Sequence, residues 1–219
     1  DYGALAGDRL LQLCDDAHRD RPRLIAYDAY GCRQDRVEFH PAYHEVMGTA
    51  IGHGVAGLSW AQPGPGAHVA RAALSFLHYQ AEPGSSCPLT MTHAAVPVLQ
   101  REPALHEWAG KAAAPHYDPR FAPMEQKQGL TLGMGMTEKQ GGSDVRSNST
   151  RATRLASDGE YTLVGHKWFF SAPMSDGFLV LAQAQDGLTC FLLPRWRPDA
   201  SVNALRLLRL KDKQGDWSN

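Results

Sequence analysis

The 219-residue chain is predicted to be an α+β protein, an all-α helical N-terminal half followed by an antiparallel β half of barrel or sandwich type. Three observations predict it. Apolar residues recur at helical spacing as far as Ala114, and after Gly129 the pattern becomes alternating and rich in β-branched and aromatic residues. Asp158-Gly159 and Asp186-Gly187 stand between such runs as hairpin turns. The change of period falls at residues 124 to 130, which gives a helical domain over 1–126 and a β domain over 127–219.

The first helix is expected from Ala4 to His18, with Leu5, Leu10, Leu11, Leu13 and Cys14 near helical spacing, and Arg19-Asp20-Arg21-Pro22 ends it. Leu24 to His40, folded around Gly31, reads as an irregular or hairpin-like insertion. His40-Pro41 opens a second helix, because proline suits the first helical position. The loop Gln62-Pro63-Gly64-Pro65-Gly66 precedes a helix over Ala67 to Gln80, with Val69, Ala73, Leu74, Phe76 and Leu77 assigned to one face. Ser85, Ser86 and Pro88 introduce a helix apolar on most sides, perturbed by Pro97 and expected to be the buried centre of the helical half. A last helix runs from about Pro103 to Ala114. The expected strands are Tyr161–Val164, Trp168–Ser171, Phe178–Gln183 and Leu188–Leu193.

Composition excludes several classes of function. A net charge of −1 and a pI near 6.9 give no general attraction to nucleic acid or anionic membrane. Cys14, Cys32, Cys87 and Cys190 form no C-x-x-C pair, so buried free thiols in a reducing cytoplasm are expected rather than zinc or disulfides. His40 and His44 are spaced i, i+4 without an intervening Glu or a third ligand, and no metal is assigned to them. The chain has neither a signal peptide nor an apolar run of membrane-spanning length. Asn148-Ser149-Thr150 matches a glycosylation acceptor and is discounted for want of a secretory signal. The chain opens at Asp1 and stops at Asn219 with no closing element, as a piece of a longer protein does.

The chemistry is concentrated in GMGMTEKQGGSDV, residues 133–145. Its glycines allow close backbone approach to a ligand, with the hydroxyls of Thr137 and Ser143 beside them. A dinucleotide fingerprint is excluded, because Glu138 stands where the third glycine belongs, and no Gly-Lys-Ser/Thr phosphate loop occurs. Met136-Thr137-Glu138 followed by Gly142-Ser143-Asp144, with GHKWFFS at 165–171 downstream, resembles the flavin-binding region of the acyl-CoA dehydrogenases, which show T-E-x-x-x-G-S-D and then G-x-K-x-W-I-T. The resemblance covers essentially the whole chain. It is strongest to the family's alkylation-response branch, through residues 133–145, Ser147-Asn148, Thr150-Arg151-Ala152, 165–171 and 210–213. Lys139-Gln140 replaces the usual Pro-Gly, and Phe169-Phe170-Ser171-Ala172-Pro173 replaces Trp-Ile-Thr-Asn-Gly, which alters the ordinary acyl-CoA pocket.

The resemblance implies FAD as cofactor, contacted by Met134, Gly135, Met136, Thr137, Gly142, Ser143, Trp168, Phe169, Phe170 and Ser171. Met136 and Thr137 would supply an amide and a hydroxyl at the pyrimidine edge, Ser143 would lie near the pyrophosphate, Ser171 near the hydride-accepting nitrogen, and the three aromatics would wall the ring. Alternation along a strand would turn some of those aromatics away from it. The family removes hydrogens from adjacent carbons of an acyl-CoA thioester and passes electrons to an electron-transfer flavoprotein. Its catalytic carboxylate lies in a C-terminal helical domain outside these residues. Glu138 is read as structural, and no catalytic base is assigned. The isolated stretch should therefore hold FAD poorly and turn nothing over. The resemblance further implies a cytoplasmic homo-oligomer, a homotetramer. In the alternative, alkylation-response class, DNA association matters more than turnover, through a region beyond Asn219. The diluted basic stretch from Arg195 to Lys213 serves equally as a solvated sheet edge. A third reading is a cofactor-binding scaffold without turnover.

Overall fold

A computed structural model describes residues 2–156 and 159–219 and has the α+β order that the sequence predicts. The first helical stretch is two helices, α1 (Tyr2–Ala6) and α2 (Arg9–Arg19), parted at Gly7-Asp8. The bend lets Tyr2 turn inward as well as Leu10 and Leu13. The expected insertion is an antiparallel hairpin of β1 (Arg23–Tyr27) and β2 (Arg33–Glu38), so the N-terminal half is not wholly helical. Its turn is built by Asp28, whose Oδ1 accepts from the backbone N–H groups of Tyr30 and Cys32, each at 2.9 Å.

Helix α3 (Pro41–Gly52) starts as proline requires, with His40 Nδ1 accepting from Ala42 N at 3.2 Å. His44 instead meets the Tyr117 hydroxyl at 2.8 Å, so the two histidines have separate partners. After the short α4 (Leu58–Ala61) comes α5 (Ala67–Ala81). Its expected apolar face is corrected: Val69 and Phe76 are exposed, and His78 is buried in their stead. That burial is tolerated because both ring nitrogens are satisfied, Nδ1 by the Tyr2 hydroxyl and Nε2 by Ser85 Oγ, each at 2.7 Å.

Helix α6 (Ser86–Leu99) is the central buried helix despite Pro97, with Leu89, Ala95, Val96 and Leu99 fully enclosed. Helix α7 (His106–Ala113) packs beside it after a short 3-10 turn, Pro103–Leu105.

The C-terminal half is a five-stranded sheet of β3 (Leu132–Gly135), β4 (Arg151–Arg154), β5 (Tyr161–Val164), β6 (Gly177–Ala184) and β7 (Gly187–Pro194). The antiparallel expectation needs correcting. β4–β5 and β6–β7 are antiparallel, but β3 and β4 both meet β6 in parallel. The connection from Met136 to Asp176 is long enough to return the chain to the same end of the sheet, as parallel pairing requires. The β6–β7 turn forms as predicted, with Gly187 at φ 112°. At the β4–β5 turn Gly159 has φ 75°, and Asp158 lies outside the described residues. The strand expected at Trp168–Ser171 is absent, because Phe169 takes a left-handed φ of 55° that breaks the alternation.

One apolar cluster fills the space among α1, α2, α3, α5 and α6. A second joins Ala95, Val96, Leu99, Ala109 and Ala112 of the helices to Leu130, Leu132 and Leu179 of the sheet half. Thr92 of α6 stitches the same boundary, its Oγ1 accepting from Leu132 N at 3.0 Å. The helical and sheet halves therefore share a core. None of the described helices is long and apolar enough to cross a membrane. The cysteines are free, as expected, but Cys32, Cys87 and Cys190 are exposed rather than buried.

Candidate functional site

Strand β3 delivers the glycine-rich segment against the helical core. Leu132, Met134 and Met136 pack on that core, while Gly133 and Gly135 face the other way. A Cβ at Gly135 would stand 2.4 Å from Phe170 Cε2, so the missing side chain is what lets Phe170 lie across the strand. Phe170 then stacks at a tilt on Phe178, centroids 4.7 Å apart. Met134, Met136 and Gly135 thus shape the site from behind; the two methionine side chains belong to the core.

Beyond β3 the loop is organised by Glu138. Its Oε2 accepts from Ser149 N at 2.7 Å and Ser149 Oγ at 2.8 Å; its Oε1 accepts from Thr150 N at 3.0 Å, from Thr150 Oγ1, and from Lys167 Nζ at 2.9 Å. Burial alone would raise this carboxyl, but the hydrogen bonds from Thr150, Lys167 and Ser149 outweigh it and hold it far below its ordinary range. An anion with five donors is a poor proton acceptor, so the structural reading of Glu138 agrees with its surroundings. Asn148 is a second organiser, its Nδ2 donating to Met136 O at 2.8 Å and its Oδ1 accepting from Gln140 Nε2 at 2.9 Å. Buried and bonded at both ends, Asn148 is unsuited to be a glycan acceptor.

The two motifs meet where Trp168 N donates to Thr137 O at 2.9 Å. The left-handed Phe169 then leaves the indole and the phenyl ring both outward-facing, 39% and 61% exposed, in edge contact at 5.7 Å between centroids. Trp168, Phe169, Phe170 and Ser171 line one groove of about 2000 Å3, together with Leu192, Leu208 and Lys211. Met134, Gly135, Met136, Thr137, Gly142 and Ser143 are outside its lining and adjoin it through the Thr137–Trp168 bond. Thr137 Oγ1 lies against the Gly142 backbone, 2.8 Å from where a Cβ would be. Neither it nor the Ser143 hydroxyl hydrogen-bonds to another described residue. Ser171 Oγ accepts from Lys211 Nζ at 3.2 Å, and that ammonium also lies over the Phe169 ring at 5.7 Å. Uncommitted hydroxyls, outward aromatic faces and a cation beside them fit a flat, apolar-faced group with a polar edge and an anionic tail.

Sequence reasoning missed Lys167, Ser149 and Thr150 as ligands of Glu138, and Lys211 as the partner of Ser171. All four stood in or beside the quoted motifs, but nothing in their spacing showed which carboxylate or hydroxyl they would reach. The basic stretch from Arg195 to Lys213 is not one solvent-facing surface. Arg195 is buried with its Nε on Ser175 O, and Lys213 donates to the carbonyls of Asp216 and Asn219.

Comparison with known proteins decides the family. Residues 1–119 match the model of the adaptive response protein AidB N-terminal domain, and residues 133–215 match that of the acyl-CoA dehydrogenase middle domain. The chain is 52% identical to AidB of Escherichia coli over its whole length. It belongs to the acyl-CoA dehydrogenase family. A second relative, acyl-CoA dehydrogenase family member 11 of Caenorhabditis elegans, is 30% identical over 95% of the chain. The crystal structure of Caenorhabditis elegans ACDH-11 in complex with C11-CoA superposes with a TM-score of 0.85, at 27% identity, over 98% of this chain and 38% of that one. The chain spans 42% of the length of the Escherichia coli relative and 36% of the Caenorhabditis elegans one.

Proposed function

We propose that the protein containing this chain is an FAD-binding oxidoreductase that dehydrogenates an acyl-CoA or a related thioester. The observation that carries the proposal is the meeting of the two motifs at Thr137 and Trp168, which sets free hydroxyls beside an outward aromatic wall. Bound FAD supplies hydride-accepting chemistry. The chain's own residues hold and orient it: Trp168 and Phe169 offer ring faces, Phe170 backs them, and Thr137 and Ser171 place donors at the polar edge. Ser143 and the Gly142 backbone would hold the phosphates. Donors fixed where negative charge develops favour the reduced state without reorganisation.

Residues 1–126 are the helical unit and 127–219 the β unit of this scheme, cooperating through their shared core. With Glu138 committed to five donors, the proton-abstracting carboxylate comes from elsewhere in the full protein. An acyl-CoA is the ligand class favoured by the Caenorhabditis elegans relative bound to C11-CoA. An electron-transfer flavoprotein as acceptor and a cytoplasmic homo-oligomer, a homotetramer, complete the proposal.

The alternative is an adaptive-response flavoprotein that associates with DNA and turns over little, favoured by the match of residues 1–119. The burial of Arg195 and the internal bonds of Lys213 argue against residues 195–213 as its DNA-binding surface. The deciding experiment is anaerobic titration of the purified full-length flavoprotein with acyl-CoA thioesters. Bleaching of flavin absorbance supports dehydrogenation; unbleached flavin together with retention of duplex DNA overturns it in favour of the alternative.

A further inference from the structure

Away from the flavin region, Cys14, His18 and Glu82 bring a sulfur, an imidazole nitrogen and a carboxylate oxygen to within 4.8 Å of one another. Cys14 and His18 are one turn apart on α2 and so share a face. Glu82 is the residue that caps the C-terminal end of α5. It is fully buried, and its position is fixed: Oε1 accepts from Gly84 N at 3.0 Å and from Ser218 Oγ at 2.6 Å, while Oε2 accepts from Ser85 N at 2.6 Å. His18 Nε2 lies 3.0 Å from the same Oε1. Lys213, a cation whose charge is felt by Glu82, is committed to the backbone carbonyls of Asp216 and Asn219.

We propose that Cys14, His18 and Glu82 form a zinc site that staples α2 to the turn between α5 and α6. Thiolate, imidazole and carboxylate are the three ligand types that zinc accepts in one tetrahedral shell, at about 2.0–2.3 Å, with water in the fourth position. Those bond lengths put ligand atoms roughly 3–4 Å apart, so a small rotamer adjustment of Cys14 or His18 closes the set. Thiolate and carboxylate charges balance the dication, and the sulfur selects against magnesium and calcium, which take oxygen shells. The hydrogen bonds from Gly84, Ser85 and Ser218 orient the carboxylate as outer partners do in metal centres. The competing description is a plain His18–Glu82 hydrogen bond, which needs no thiol.

The test uses the full-length protein, stripped with a chelator and titrated with zinc and with cobalt. One more equivalent of zinc should bind to the wild type than to Cys14→Ala, and cobalt should give a thiolate charge-transfer absorption that Cys14→Ala lacks. Zinc should also protect the Cys14 peptide from alkylation at least about tenfold, on the scale by which site changes weaken metal binding. Cys14 is only partly buried, so the variant should keep its circular dichroism; if it does not, His18→Gln replaces it for the same three readouts. Equal stoichiometry in wild type and variant, or alkylation of Cys14 indifferent to zinc, leaves the hydrogen bond and overturns the site.

Discussion

The ammonium of Lys167 lies 2.9 Å from Oε1 of Glu138, and the two side chains are 7% and 4% exposed. This pair ties the second motif of the flavin region to the first. Removing either partner strands the other as a buried charge, which costs far more than the pair contributes net. Glu138→Ala is therefore expected to lower stability by about 3–5 kcal/mol, measured by denaturant unfolding, with loss of bound flavin. The carboxyl is held far below its ordinary value of 4.5, so its contribution is fully present above that pH and is lost as pH falls below it. A wild-type acid-unfolding curve that Glu138→Gln fails to flatten below pH 4.5 would count against the assignment.

His78 predicts a second pH dependence, in a different window. Burial lowers its pKa from 6.5 to about 4. The unfolded chain binds the proton first, so stability is complete above pH 6.5 and declines as pH falls toward 4. At about 1.4 kcal/mol per unit the decline is on the order of 3 kcal/mol. His78→Gln, which can still bond Tyr2 and Ser85, should be less stable at neutral pH yet lack that slope between pH 6.5 and 4. Equal slopes in both proteins would show that another group titrates there.

At Gly135 the added methyl of alanine meets the Phe170 ring, whose movement disturbs the wall from behind. Gly135→Ala should cost about 1–3 kcal/mol by overpacking and reduce flavin content. Combining it with Phe170→Leu should restore part of the stability without restoring flavin. Additive losses in the double variant would disprove the contact.

Thr137→Val tests the hydroxyl beside Gly142. The substitution keeps the shape and removes the donor, so the fold should persist while FAD binding weakens by about 1–3 kcal/mol or its reduction potential shifts. Unchanged content and unchanged potential would remove Thr137 from the polar edge.

By itself the sequence determined the order of helices and sheet, the proline start of α3, the buried α6 and the Gly187 turn, because each follows from local periodicity or backbone freedom. It also pointed to both motifs of the candidate site. Tertiary structure decided the rest. Parallel pairing of β3 and β4 with β6 depends on where a long connection returns, which no local pattern encodes. His78 displaced Val69 and Phe76 from the interior of α5 because Tyr2 and Ser85, distant or off the helix, satisfy its ring. The left-handed turn at Phe169 set Trp168 and Phe169 outward together, where alternation would have separated them. Lys167 found Glu138 across 29 residues, and hydrogen-bond partners at that separation are fixed by the assembled fold rather than by the pattern of the chain.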